Sequence, residues 1–270
     1  MERILFLSDL HDCPVPFYDL PTAPRLDKLI ADLKAAGPFD RTFILGDVSL
    51  DFWLYNGGGS WQNKQISHTA HFMETYAKFL PQPMVLIPGN HEQYGDRKWA
   101  EITGFTRSNV AETSSALFIF ADTFRGVLDP KEPSDGQYAP VDCSFIRSAM
   151  ENCPQKPVFL CAHYFDMNRE TPEFNELLAE NDRITALFMG HTHHSSVLST
   201  GTDAGEKPIL QTGNYSYSGL HDHPENSFWG WRELLLHDDG RMESFYHVPA
   251  SVCGNIRTEN HNQDYWEKYI

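Results

Sequence analysis

Two short spacings bring ligand-type side chains together in this chain: Asp9-Leu10-His11 and His191-Thr192-His193. On extended backbone, residues two apart point to the same side, so each pair presents two donors together. Further donors stand in Gly46-Asp47, in Gly89-Asn90-His91-Glu92 and in Ala162-His163. A single such cluster is commonly a cap or a solubilising strand end, but a whole succession is not explained that way. Carboxylate, imidazole and carboxamide donors without thiolates suit Zn, Mn or Fe, and they argue against iron–sulfur and structural Cys-zinc sites. The candidate metal ligands Asp9, His11, Asp47, Asn90, His163, His191 and His193 exceed the needs of a single four-coordinate site. They suit two ions if one carboxylate bridges. Two metals roughly 3.5–4 Å apart can polarise a phosphoryl oxygen and generate hydroxide near neutral pH.

Each cluster ends a short apolar run: Ile4–Leu7, Thr42–Leu45, Met84–Ile87, Val158–Cys161 and Ala186–Met189. Runs this short, rich in Val, Ile, Leu and Phe, read as buried strands covered on both faces. Chemistry in open α/β sheets gathers at the carboxyl ends of such strands. Leu26, Leu29, Ile30 and Leu33 share one helical face, closed by Gly37-Pro38. A second helix is expected from about Ser67 to Leu80, ended by Pro81. Thr171-Pro172 opens a third with an N-cap and proline at the first helical position. The βαβα order makes the class α/β. Pro208–Thr212, Trp231–Leu236 and Met242–Val248 read as late strands, with Asp238-Asp239-Gly240 as a hairpin turn.

No interdomain linker or repeat interrupts residues 1–270, which read as a single domain with 252–270 as a C-terminal tail or strap. Residues 52–63 and 122–140 are the expected long loops. At 270 residues, 41% hydrophobic and 13% aromatic, the composition is globular. A net charge of −16 argues against a nucleic acid polymer as partner and for a small phosphoester substrate near bound cations. The five cysteines show no CxxC pairing, which points to reduced thiols and a cytoplasmic location. No run approaches membrane-spanning length, and the first apolar run is too short for a signal peptide core.

The ordered set Asp9-Leu10-His11, Gly46-Asp47, Gly89-Asn90-His91-Glu92, His163 and Gly190-His191-Thr192-His193 resembles the calcineurin-like metallophosphoesterase superfamily, whose pattern is DxH, GD, GNH(D/E), H and GHxH. The resemblance implies a four-layer α/β/β/α sandwich of two mixed sheets, with residues 195–250 completing the second sheet. It implies that Asp9, His11 and His193 hold one metal and Asn90, His163 and His191 the other, with Asp47 bridging. It further implies a metal-bridging hydroxide that attacks phosphorus, and His91 beside the substrate as the catalytic residue that binds no metal. Asn90 and His91 would then contact substrate. The expected activity is a metal-dependent phosphoesterase, a phosphodiesterase acting on a nucleotide-like diester ahead of a phosphomonoesterase. A non-catalytic scaffold of the same fold is the reading from a different class, and it is disfavoured by the complete donor set.

The chain departs from some family patterns. The second acid of GDxxD is displaced to Asp51, so no role follows for it. Arg and Gly of the protein phosphatase GDxVDRG are absent, and Leu50 stands where purple acid phosphatases carry a tyrosine ligand. Alternation turns His194 away from the site, and His68 and His71 read as solvent-facing helix residues. His221-Asp222-His223-Pro224 reads as a loop, Cys13 as an unliganded thiol, and Glu92 as a partner that orients ligands. Trp53, Tyr55 and Trp61 either stack on a base or cover the sandwich edge.

Overall fold

Ile4 and Phe6 point to one side of the first strand and Leu5 and Leu7 to the other, and all four are buried. Continuous apolar runs of this kind need a covering layer on each face. The computed structural model describes residues 1–13, 22–52, 61, 65–124, 136–216 and 229–249. In chain order these form β1 (Glu2–Leu7), α1 (Thr22–Ala36), β2 (Arg41–Leu45), α2 (His68–Thr75), β3 (Met84–Ile87), α3 (Asp96–Thr103), β4 (Asn109–Glu112), β5 (Leu117–Ala121), α4 (Cys143–Asn152), β6 (Val158–Ala162), α5 (Pro172–Glu180), β7 (Ile184–Met189), β8 (Val197–Ser199), β9 (Pro208–Gln211), β10 (Trp231–Leu236) and β11 (Met242–His247).

The strands make two mixed sheets, β11-β10-β1-β2-β3 and β4-β5-β6-β7-β9-β8. Within them β1, β2 and β3 run parallel, as do β5, β6, β7 and β9. The two sheets pack face to face through an aromatic core in which Phe6 stacks on Phe188 at 4.1 Å and Phe43 meets Phe118 at 4.9 Å. Aromatic pairs of this kind contribute about 0.5–1.5 kcal/mol beyond the area they bury. On the outer face of the first sheet lie Leu26, Leu29 and Leu33 of α1, Phe72 of α2 and Trp99 of α3. On the outer face of the second lie Ile146 of α4 and Phe174, Leu177 and Leu178 of α5. The result is the expected four-layer α/β/β/α sandwich.

Several local expectations hold for stated reasons. The Thr171 hydroxyl accepts from Phe174 N at 3.2 Å, capping α5 ahead of Pro172. Gly240 takes φ 84° in the turn between β10 and β11, where His237 N and Arg241 O close the hairpin at 2.9 Å. The helix expected to run from Ser67 to Leu80 instead ends at Thr75 and continues as a 3₁₀ turn over Ala77–Phe79.

One expectation is corrected. Residues 195–250 do not all complete the second sheet. β8 and β9 extend that sheet beside β7, whereas β10 pairs antiparallel with β1 in the first sheet, Glu2 opposite Leu236. The sequence reading also missed α3, α4, β4, β5 and β8. Trp53, Tyr55, the Gly57-Gly58-Gly59 run, residues 125–135, His221–Pro224 and the 252–270 tail lie outside the described residues. No helix among the described residues is long and apolar enough to cross a membrane. The described cysteines, Cys13, Cys143, Cys153 and Cys161, form no disulfide.

Candidate metal centre

The carboxyl ends of β1, β2, β3, β6 and β7 converge at one end of the sandwich, and each delivers a donor. The backbone there is not extended. Asp9, His11, Asp47, His191 and His193 have φ of 54°, 49°, 53°, 66° and 61°. Extended alternation therefore does not explain why Asp9 and His11 converge; consecutive left-handed turns fold both side chains inward. Such φ values are costly for residues other than glycine, about 1–3 kcal/mol each, and persist only where the surroundings enforce them. Here the enforcement is visible. Leu10 N and His11 N both donate to Asp47 O, at 2.8 and 3.0 Å, and Asp12 N donates to Val48 O at 2.6 Å.

The motif glycines allow the strand ends to approach. A side-chain carbon on Gly190 would meet Ser8 Cβ at 2.6 Å and Asp9 Oδ2 at 2.7 Å. With only hydrogen there, His191 N reaches Asp9 Oδ2 at 2.9 Å and Gly190 N reaches His163 O at 2.9 Å. The first bond joins the two sheets at the site, and the second ties the ends of β7 and β6 within one sheet.

The side chains gather into adjoining groups. Asp9, His11 and His193 form one, Asp47, His163 and His191 another, and His11, Asp47 and His91 a third between them. His193 Nε2 lies 3.3 Å from Asp9 Oδ1, and His11 Nε2 lies 3.5 Å from Asp47 Oδ2. On the other side, His163 Nε2 lies 3.3 Å from the same Asp47 oxygen. Asn90 Oδ1 completes that side, 2.8 Å from His163 Nε2 and 2.9 Å from His191 Nδ1. All seven sequence-derived ligand candidates therefore meet, and His91 joins them with Nε2 3.5 Å from Asp47 Oδ2. Distance alone does not separate His91 from the ligand candidates.

The chemistry of the donor set fits cations. His163 Nδ1 faces the carbonyl of Leu45 at 2.6 Å, which calls for an N–H at that nitrogen. Its Nε2 then faces two acceptors, Asn90 Oδ1 and Asp47 Oδ2, and a proton or a metal ion must lie between them. Burial opposes charge on His163, yet Asp47 and Asp9 lift it to about 9. Burial and the neighbouring His193 lower His11 to about 4, and burial with His163 lowers His191 to about 3. Burial opposes ionisation of Asp9 and Asp47, but the surrounding histidines hold both below the usual carboxylate range. Ionised carboxylates beside neutral imidazoles are the forms that ligate metals. Asp9 Oδ1, buried and facing His193 Nε2, is a donor position of the same kind.

Residues behind the cluster fix its shape. Glu92 Oε2 accepts from Asp47 N and Gly89 N, at 2.8 and 2.9 Å, and its Oε1 accepts from Ser49 N at 2.8 Å. Burial and the nearby Asp47 push the Glu92 carboxyl up to about 8, whereas both oxygens already face N–H donors. The donor pattern decides for the carboxylate, because a proton on either oxygen would confront an amide hydrogen. Asp51 accepts from His68 N and Thr69 N, at 2.7 and 3.0 Å, which makes it a cap of α2 and not a site residue. His194 is half-buried and outside the donor groups.

The sequence reading missed Arg25 and Asn214. The buried Arg25 guanidinium donates to the carbonyls of Leu10, His11 and Tyr215, and Asn214 Nδ2 donates to His193 O at 3.0 Å. Arg25 did carry a signal, because it stands four residues before Leu29 on the apolar stripe of α1. Asn214 carried none. Trp61 packs edge-on against Tyr94 at 5.1 Å beside the outer core, a covering role.

A model of the calcineurin-like phosphoesterase family matches residues 2–195. Among solved structures, a metallophosphoesterase from Sphaerobacter thermophilus is 12% identical, covers 96% of this chain and 94% of its own, and superposes with a TM-score of 0.40. Another crystal structure is 10% identical, covers 91% of this chain and 98% of its own, and superposes with a TM-score of 0.49. No curated protein matches the chain.

Proposed function

The chain belongs to the calcineurin-like phosphoesterase family, and from that premise we propose that it hydrolyses a small phosphodiester, such as a nucleotide derivative, with two metal ions of the Mn, Fe or Zn group. The observation that carries this reading is the position of Asp47, whose Oδ2 stands 3.5 Å from His11 Nε2 and 3.3 Å from His163 Nε2. One carboxylate oxygen thus lies between two donor groups, as a bridging ligand must. Asp9, His11 and His193 would hold one ion, and Asn90, His163 and His191 the other.

Bound cations would supply Lewis acidity toward phosphoryl oxygens and would lower the pKa of water toward neutrality. The remaining work falls to the protein. Leu45 O fixes the His163 ring, and Glu92 fixes the backbone on either side of Asp47. Asn90 turns Oδ1 to the imidazoles and Nδ2 to His91 Nε2 at 3.3 Å, which leaves an N–H for a substrate oxygen. His91, buried and close to Asp47, is the proton donor to the leaving alkoxide. The preference for a diester rests on the paired histidines of Gly190-His191-Thr192-His193 and on the missing protein phosphatase and purple acid phosphatase signatures. A monoesterase with the same site is the second reading.

The test is hydrolysis of an aryl phosphodiester and an aryl phosphomonoester by the chelator-stripped protein, with and without added Mn²⁺. Mn-dependent turnover that is faster on the diester is expected. Faster turnover of the monoester would install the second reading. Turnover of neither, in protein carrying two metals per chain, would install the scaffold.

A further inference from the structure

His71 is exposed, as its helix suggested, but His68 is half-buried. They stand one turn apart at the start of α2, on one helix face, and Asp12 lies opposite them. The ligand atoms of Asp12, His68 and His71 all lie within 4.8 Å of one another. Asp12 is 2% exposed, and its main chain is clasped on both sides: its N–H donates to Val48 O at 2.6 Å and its carbonyl accepts from Leu50 N at 3.1 Å. His71 Nδ1 stands 2.5 Å from Asp12 Oδ2. Both ring nitrogens of His68 are shut off from solvent, and neither finds a hydrogen-bond partner among the described residues. Leaving such a polar atom unpaired is unfavourable. The helix start is no accident of fraying, since Asp51 and Ser67 cap it together.

We propose that Asp12, His68 and His71 form a separate binding site for one divalent cation of the zinc class, outside the catalytic pair. One carboxylate and two imidazoles are a recurrent three-ligand set that leaves a fourth position to water. Binding would take the place of the contact between His71 Nδ1 and Asp12 Oδ2, with the imidazole neutral and its proton on Nε2. Arg25 also acts on the Asp12 carboxylate, but its guanidinium is directed at the carbonyls of Leu10, His11 and Tyr215. The cation would join α2 to the turn that carries Asp9 and His11, so its role is to hold the catalytic turn in place. None of its ligands belongs to the donor set assigned to catalysis, and the site stands whether or not that assignment does.

Zinc content decides the matter. Full-length protein is stripped with chelator, dialysed against Zn²⁺ and analysed for metal per chain. The deciding comparison is between Asp47→Asn alone and Asp47→Asn combined with His68→Ala and His71→Ala. The combined variant is expected to hold one zinc fewer per chain, and equal content overturns the site. Failure of the dinuclear reading registers elsewhere, as equal zinc in wild type and Asp47→Asn. If the combined variant does not fold, His71→Gln at a half-exposed position replaces it. An unchanged far-UV spectrum with loss of the same zinc is then expected, and unchanged zinc affinity overturns the proposal.

Discussion

A side-chain carbon on Gly89 would stand 2.1 Å from Asp47 Oδ1, well inside any non-bonded contact. The glycine of the Gly89-Asn90-His91 turn is thus a packing partner of the proposed bridging carboxylate, whose Oδ1 also accepts from His91 N at 2.9 Å. Gly89→Ala is expected to displace Asp47 and to destabilise the fold by about 1–3 kcal/mol. Thermal unfolding and Mn²⁺ affinity measure this together. If both are unchanged, the close contact does not govern the site.

Asp47 and His91 should separate by their effects. Asp47→Asn is expected to lose bound metal and turnover together, because it removes charge from the point shared by both donor groups. His91→Asn is expected to keep its metal while turnover falls about 10²–10⁴-fold, the usual contribution of a general acid. Metal analysis beside steady-state kinetics resolves the two. Full turnover in His91→Asn would remove His91 from the mechanism.

Glu92→Ala leaves the amides of Asp47, Ser49 and Gly89 without their acceptor. Each buried orphan costs about 1–3 kcal/mol, and the loops they belong to carry Asp47 and Asn90. The expected outcome is a lower melting temperature together with weaker metal binding. Glu92→Gln keeps the shape but sets an amide N–H₂ against an N–H donor, so it should rescue only part of the loss. Complete rescue by Gln would show that charge and acceptor count are irrelevant there.

Arg107 and Asp122 form a buried pair at 2.7 Å, and Arg107 also donates to Tyr94 O at 2.6 Å and Phe124 O at 2.8 Å. It ties the chain after His91 to the end of β5. Removing one partner strands the other charge, so Arg107→Ala is expected to cost about 3–5 kcal/mol in urea unfolding. A loss below about 1 kcal/mol, the range of exposed pairs, would contradict the burial argument.

The site was more legible in the sequence than the fold around it. Each donor sits just beyond a run of apolar residues, and a strand-end donor is a local feature that sequence displays. The left-handed turns at Asp9, His11 and Asp47 are not, because they are imposed by hydrogen bonds to a strand far away in the chain. Leu117–Ala121 was overlooked because no ligand follows it, although it is as apolar as its neighbours. The partner of β10 was equally hidden: periodicity identifies a strand but not the sheet it joins. His68 and His71 illustrate the same limit, since their helical spacing is visible while Asp12 opposite them is a tertiary fact.

The pairing of β10 with β1 bears on how the protein is made. A nascent chain that has just passed His193 already contains every residue assigned to catalysis, yet β1 still has one unpaired edge. Unpaired edges of hydrophobic strands invite association with other chains during synthesis. The strand that carries Asp9 and His11 is sealed only once Trp231–Leu236 arrives, so the interval between those two moments is when this molecule is most open to misassembly.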